Sequence, residues 1–264
     1  MARSDRHAIR CLPLLAAVVA STATSVRAQD ATPGVTPYRP SVSTPAALSA
    51  PGWLELEAGA LSARAADAGR RVSLPYTLKL AFTPDWGVRL GGDARVRQTD
   101  PDGTRISGGG DTSVVLKHRV AIDDARAFGI ELGANLATAA AGLGNGHSSL
   151  GLTGIYSADL PGGLHTDLNV GAARATAAEA GVSRVSWAGA ASLSGAITPD
   201  WGWVAELSGT RQHGAGVASQ WLAAATYNVS RSATLDLGLL RSLRAPRSDG
   251  AWFVGVTLLT GRLF

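Results

Sequence analysis

The sequence contains a single cysteine, Cys11, and no long hydrophobic run beyond its first 28 residues. Cys11 lies in the segment that is predicted below to be cleaved off, so the mature chain has no disulfides and no thiol chemistry. No later stretch approaches the ~18 consecutive apolar residues of a membrane-spanning helix, so helical spans are excluded. Beyond residue 28 the chain also has little excess of positive over negative charge. The first 28 residues hold four of the 24 basic and one of the 20 acidic side chains. The remainder has a net charge of +1 and no basic stripe, so nucleic acid is not a predicted partner.

Residues 1–28 have the layout of a secretory signal peptide. Three arginines, Arg3, Arg6 and Arg10, precede an apolar core at residues 12–20. A small-residue cleavage site ends at Ala28. Cys11 lies ahead of the apolar core, so it would leave with the signal and cannot carry a lipoprotein anchor.

Residues 29–52 are rich in proline, serine, threonine and alanine and show no alternation of polar and apolar residues. This composition is typical of an extended connecting segment. We interpret it as a periplasmic lead-in to the domain that follows. The alternative is a plug that enters that domain.

From Trp53 to the C-terminus, small apolar and polar residues alternate, which is typical of strands with one face apolar and the other polar. The pattern gives twelve candidate strands, beginning near Trp53, Arg71, Trp86, Asp111, Ala127, Ser148, Leu164, Arg184, Trp201, Ser219, Ala233 and Ala251. Tight turns alternate with longer connections rich in Gly, Asp and Arg. Outer-membrane barrels have short periplasmic turns, longer external loops and an even strand number. Residues 53–264 are therefore predicted to form one transmembrane antiparallel up-and-down β-barrel in an outer membrane, with both termini in the periplasm.

Aromatic residues collect at the predicted strand ends, as in the aromatic girdles of membrane barrels. The turn sequence at residues 83–87, Thr-Pro-Asp-Trp-Gly, recurs at residues 198–202 and places a tryptophan at the start of each following strand. The predicted membrane-interface residues are Trp53, Trp86, Trp187, Trp201, Trp221, Trp252 and Phe264. Outer-membrane lipid and the outer-membrane assembly machinery are the expected partners. Arg262 and Thr260 interrupt the apolar alternation that leads to Phe264, so the register of the last strand stays open.

Charged residues recur on the polar faces of the strands, which a membrane barrel turns toward its lumen. The predicted lumen or pathway residues are Arg89, Asp93, Arg95, Arg97, Lys117, Arg119, Glu131, His165, Asp167, Glu206 and Asp236, and alternation adds Glu55, Glu57 and Lys79. Such charges must be hydrated or paired. They would line a hydrated pathway that selects solutes, or brace a plugged lumen. Strand number does not decide, since barrels of about eight strands are filled and those of about sixteen are open.

Two stretches resemble the outer-membrane transporter family named for the meta-pathway of phenol degradation. One joins Tyr38–Ser43 to Pro51–Gly59, similar to that family's lead-in to its first strand. The other joins Ser107–Asp111 to Val115–Arg119, similar to the entry to its fourth strand. The layout resembles the family from about residue 38 to the end. The resemblance implies transport, and the family's name implies aromatic or other hydrophobic substrates.

The sequence thus predicts a passive channel or uptake transporter for small molecules rather than an enzyme. A structural or adhesive barrel without transport is one alternative. A lipid-modifying hydrolase is the other, because His147-Ser148-Ser149 faintly resembles the histidine–serine pair of lipid A deacylases. These residues fall in a glycine-rich loop with no acidic partner soon after. No cofactor motif and no cluster of metal ligands is recognisable, so none is predicted.

Overall fold

The computed structural model describes residues 32–65, 68–244 and 249–264, so the predicted signal peptide and Cys11 lie outside the described residues. Within that part of the chain, no helix is long and apolar enough to cross a membrane. The strands are β1 (Trp53–Ala65), β2 (Gly69–Ala81), β3 (Trp86–Thr99), β4 (Arg105–Gly108), β5 (Thr112–Ala121), β6 (Arg126–Leu136), β7 (Ser149–Leu160), β8 (Leu164–Ala175), β9 (Val185–Ala196), β10 (Trp201–Gln212), β11 (Gly216–Ser230), β12 (Ala233–Ser242) and β13 (Gly250–Arg262).

The strands form one closed antiparallel barrel. Apart from the short β4, each strand pairs with its neighbours along the chain, and β1 pairs with β13 to close the sheet. Strand β3 pairs with β5 along residues 86–92 and with the short β4 along residues 96–99, so β4 and β5 share one position in the wall. The predicted twelve-stranded barrel is confirmed, and each of the twelve predicted starts lies within three residues of an observed one. The four-residue β4 was not predicted.

The two ends of the barrel differ in their connections. At one end the repeated Thr-Pro-Asp-Trp-Gly turn adopts the same geometry twice. The Trp86 carbonyl accepts from the Phe82 N–H at 2.8 Å, and the Trp201 carbonyl accepts from the Ile197 N–H at 2.8 Å. We call this the short-turn end and the opposite one the long-loop end. The alternation of tight and long connections read from the sequence is therefore present in the fold.

Large apolar side chains cover the outside of the barrel between its ends. The most exposed include Leu150, Leu152, Val170, Leu207 and Leu237, which are 57–67% exposed. A broad exposed apolar belt costs free energy in water and suits hydrocarbon, so the surface is that of a barrel embedded in lipid.

Most of the predicted interface aromatics lie on this outer surface. Trp86, Trp187, Trp201, Trp252 and Phe264 are 43–62% exposed, and Trp221 is half-buried on the outer face of β11. Trp53 is different. Alternation along β1 places it on the same face as the buried Glu55 and Glu57, which is the inner face. The assignment of Trp53 to a lipid-facing girdle is therefore wrong.

A β-bulge at Ala94 reverses the faces of β3. Leu74 pairs with Arg95 and Pro75 pairs with Asp93, which leaves Ala94 as an extra residue in the wall. Beyond the bulge Val96 points inward and is fully buried, whereas Arg95 and Arg97 are exposed on the outside. The prediction that these two arginines line the lumen is wrong, because it assumed unbroken alternation along the strand.

Candidate functional site

Residues 32–52 lie inside the barrel and are called the plug below. The Tyr38 N–H donates to the Glu57 carboxylate at 2.6 Å, and the Ala46 N–H donates to the Ser157 hydroxyl at 2.7 Å. Ser43 and Ala46 are at most 1% exposed. Of the two interpretations of this segment, a periplasmic lead-in and a plug, these contacts support the plug. A segment with many prolines forms no sheet ladder, so its backbone groups take polar side chains of the inner wall as partners.

Tyr38 anchors the plug through its aromatic ring. The Lys79 and Lys117 ammonium groups lie 4.0 and 4.4 Å from the ring centroid, and the Arg89 guanidinium lies 5.3 Å from it. Cations over an aromatic face are attracted by its quadrupole, most strongly where water is excluded. The Tyr38 hydroxyl donates to the Ala47 carbonyl at 2.7 Å.

Three carboxylates neutralise the three cations around Tyr38. Lys79 lies 2.5 Å from Glu55 and 2.6 Å from Glu57. Glu131 accepts from Arg89 at 2.8 Å and lies 3.3 Å from Lys117. We call these six residues and Tyr38 the clasp. Buried charges are tolerated only when paired, and here equal numbers of each sign converge on one plug side chain.

A second anchor uses the arginine that follows Tyr38. The Arg39 guanidinium makes two hydrogen bonds of 3.0 Å to the Asp236 carboxylate, a bidentate arrangement. It lies against Gly59 and Gly255, where a side chain would collide with it. A Cβ built on Gly255 would be 2.3 Å from the Arg39 Nε atom. The two glycines therefore make room for the guanidinium.

A third anchor lies at the middle of the plug. The Ser43 N–H and hydroxyl both donate to one oxygen of Glu206 at 2.8 Å. The Thr44 N–H donates to the Asn169 side chain at 2.7 Å, and the Asn169 amide donates back to the Thr44 carbonyl at 3.0 Å. The plug thus crosses the lumen from the β1–β2 wall to the β8–β10 wall.

Two cavities remain beside the plug along the wall of β8–β11. One, of about 310 Å³, lies toward the long-loop end and is lined by small residues that include Gly171, Ala190, Ser208 and Thr210. The other, of about 250 Å³, lies toward the short-turn end beside Asp167, Ser192 and Thr226. The Ser43-Thr44 contacts lie between them. Because the inner residues of these strands are small, the wall leaves space that the plug does not fill.

The remaining predicted lumen residues lie away from the clasp. Asp93 is 3.4 Å from Arg71 toward the long-loop end. Arg119 is 3.9 Å from Asp85 at the short-turn end. There the His165 ring nitrogens lie 2.6 Å from Asp159 and 3.2 Å from Asp167.

The structure thus brings Arg89, Lys117 and Glu131 together in the clasp and sets Glu206 and Asp236 against the plug. Sequence reasoning did not identify Tyr38, Arg39, Ser43 or Thr44 as site residues. Tyr38, Arg39 and Ser43 belong to the first resembling motif, whereas no motif of the sequence marks Thr44.

The glycine-rich connection between β6 and β7 folds inward at the long-loop end. Asp111 accepts from the backbone N–H groups of Ala139 at 3.1 Å and Asn145 at 2.8 Å, and Leu143 is 2% exposed. The Ser148 hydroxyl accepts from the Ala137 N–H at 3.1 Å. Within the described residues, no hydrogen bond links His147 to Ser148 or Ser149.

No protein-family model and no curated protein matches the chain. Solved structures do. The COG4313 outer membrane channel from Pseudomonas putida F1 has a TM-score of 0.60 at 15% identity, over 81% of this chain and 97% of that one. The NanC porin has a TM-score of 0.57 at 10% identity, over 78% and 98%. The CymD monoaromatic hydrocarbon channel has a TM-score of 0.51 at 9% identity, over 81% and 90%. At these identities the likeness establishes the barrel fold.

Proposed function

We propose that the protein is an outer-membrane channel through which small molecules pass without energy input. The observation that carries this proposal is the pair of cavities on opposite sides of the Ser43-Thr44 contacts. They follow one wall of the barrel and are separated only by the middle of the plug. Passage requires this short segment to move, while Tyr38 and Arg39 stay anchored.

The lining of the path indicates which solutes it suits. Small polar residues such as Ser192, Ser208 and Thr210 offer hydroxyl groups beside Asn169 and Glu206. These groups can replace part of the water around a polar solute. Gly171, Ala188 and Ala190 add apolar surface to the larger cavity, so the path suits small solutes that have both polar and apolar parts.

Membership of the phenol meta-pathway family is part of the proposal, supported by the two resembling motifs. Residues of the two motifs contact each other in the lumen. Tyr38 and Arg39 of the first motif dock on Glu57 and beside Gly59 of the same motif. Lys117 of the second motif donates to the Tyr38 hydroxyl at 3.2 Å. Transport of hydrophobic aromatics rests on that resemblance and on the channel activity described for CymD.

A pair of tryptophan substitutions on β10 tests the channel. Ser208 lines the larger cavity, whereas its neighbour Leu207 points outward and is 60% exposed. In planar bilayers, we expect the refolded mature protein to give discrete conductance steps. Ser208→Trp should reduce them at least by half by filling the cavity, and Leu207→Trp should leave them unchanged. Silence from a verified folded barrel, or equal effects of the two substitutions, would refute the channel.

A further inference from the structure

Four arginines on the outer surface of the barrel have no part in the channel. Arg64 on β1 is directly opposite Arg70 on β2, and the bulge at Ala94 brings Arg95 and Arg97 of β3 to the same side. All four side chains are exposed. We call them the arginine patch. It lies at the long-loop end, beyond the apolar belt.

The patch concentrates like charge where a sheet normally avoids it. Like charges directly opposite each other on neighbouring strands repel, as Arg64 and Arg70 must. Among residues 32–65, 68–244 and 249–264, no carboxylate lies within ion-pair distance of any of the four arginines. Arg70 has only a neutral partner, the Ser62 hydroxyl at 3.2 Å. An anion bound between these side chains would relieve the repulsion.

The surroundings of the patch indicate that this anion belongs to a lipid. Ser62, Arg64, Arg70 and Trp252 line one depression on the outer surface. Trp252 is 53% exposed, and the apolar Val254 follows it on the same face of β13. Tryptophan favours the boundary between hydrocarbon and headgroups. A molecule held here would present its anionic headgroup to the arginines and its acyl chains to the apolar belt.

The opposite end of the barrel has a different charge. The tight turns carry Asp85, Asp123, Asp124 and Asp200, all exposed. Two of these aspartates pair with Arg119 and Arg126, whereas the arginines of the patch have no carboxylate partner among the described residues. The connection lengths make the long-loop end the external end. In a Gram-negative outer membrane the external leaflet consists of phosphorylated glycolipid.

We propose that the arginine patch binds the phosphate groups of an outer-leaflet glycolipid of the lipid A type. Guanidinium groups match phosphate oxygens in bidentate geometry. The facing pair Arg64 and Arg70 can bind one phosphate of a headgroup, and Arg95 and Arg97, alternate residues of β3, can bind the other. The bulge at Ala94 has a role in this site, since bulges re-aim side chains. The proposal rests on the outer-membrane location proposed above and does not depend on channel activity.

Native mass spectrometry of the refolded mature protein in detergent tests the site, with bisphosphorylated lipid A as the probe. We expect one lipid A to bind, and Arg64→Gln with Arg97→Gln to weaken binding by about tenfold or more. The matched control is Arg174→Gln with Arg211→Gln, two exposed arginines on β8 and β10, which should bind as the wild type does. Unchanged conductance of both variants would separate this site from the channel.

Three further probes identify the source of the phosphate. Dephosphorylated lipid A, phosphatidylglycerol and inorganic phosphate should each bind about tenfold more weakly than lipid A, or worse. Equal binding of dephosphorylated lipid A or phosphatidylglycerol would overturn the glycolipid assignment. Displacement of lipid A by inorganic phosphate alone would reduce the site to a free-anion site. Equal loss in the control variant would show that general positive charge, and not the patch, holds the lipid.

Discussion

The two sides of the lumen wall hold the plug by different kinds of contact. Strands β1, β2, β3, β5 and β6 hold it by buried ion pairs and the ring of Tyr38, whereas β8–β11 hold it by a few hydrogen bonds and leave cavities beside it. Long charged side chains extend into the lumen and hold the plug residues that they contact. Glycine, alanine and serine do not reach, so they leave room for a solute. One barrel thus combines a fixed anchor with an adjustable path.

The larger cavity follows directly from the residues of this second wall. Ala190 pairs with Ser208 and with Asn169, so three inner positions in a row carry short side chains. On the clasp side, the corresponding row of Glu55, Lys79 and Arg89 consists of long charged groups. The contrast predicts that damage to the clasp changes how firmly the plug is held, while filling the opposite wall changes how much passes.

Removal of the plug should have the largest effect. In a variant lacking residues 34–50, the clasp charges remain paired among themselves and become hydrated, while both cavities merge. We expect a several-fold higher single-channel conductance than that of the full mature protein. Heat-modifiable migration in gels serves as the control for a folded barrel. An unchanged conductance from such a barrel would show that the plug does not obstruct the path.

The sequence allowed much of the barrel to be predicted, because alternation and turn chemistry are local properties. Glu55, Lys79, Lys117 and Glu131 were assigned to the inner face by position alone, and each is buried there. The bulge at Ala94 could not be predicted, since no residue type marks it. After the extra residue, the odd-numbered positions of β3 face outward and the even-numbered positions face inward. The prediction for Arg95 and Arg97 is wrong because it assumes unbroken alternation.

The choice between a periplasmic lead-in and a plug could not be made from the sequence for another physical reason. Its proline-rich sequence has no periodicity, and its stability depends on partners far away in the chain. Tyr38 meets Lys117, and Ser43 meets Glu206, at separations of 79 and 163 residues. A mobile tail and a lumenal plug have the same composition, so only the complementary groups on the wall distinguish them. The unexplained charges on both sides of the lumen were the available signal.

Substitution of Tyr38 should have the next largest effect, because its ring is the point where the clasp meets the plug. Tyr38→Ala removes the cation–π contacts and leaves a cavity, which should weaken docking of the plug by about 3 kcal/mol. Tyr38→Phe keeps the ring and loses only hydroxyl hydrogen bonds, at a cost of about 1 kcal/mol. The fraction of time that each variant spends at the conductance level of the variant lacking residues 34–50 measures both effects. Identical behaviour of the two variants would show that the ring contributes nothing.

Gly255→Val probes the second anchor without touching either charged partner. The new side chain would occupy the space of the Arg39 guanidinium and break its two bonds to Asp236, costing about 2 kcal/mol. Gly261→Val on the same strand is the control, because a Cβ there meets nothing within 4 Å. The midpoint of urea unfolding in detergent micelles measures the difference. Equal midpoints would mean that Arg39 adds no stability.

The smallest expected effect concerns the loop that Asp111 holds at the long-loop end. Partial burial by itself would raise the pKa of this carboxyl, but hydrogen bonds from the Asn145 and Ala139 backbones outweigh it and hold the pKa below its usual range. The carboxylate therefore stabilises the loop at neutral pH, and that contribution is lost as the pH falls through the lowered pKa. Protonation, or Asp111→Asn, should weaken the loop by about 1 kcal/mol. Hydrogen exchange at Ala139 and Asn145 should accelerate in the variant at neutral pH, where Asp102→Asn serves as the control in a different turn. Wild-type exchange rates in Asp111→Asn would show that the packing of Leu143 holds the loop. Charge would then contribute to the anchoring of the plug and not to the anchoring of the loop.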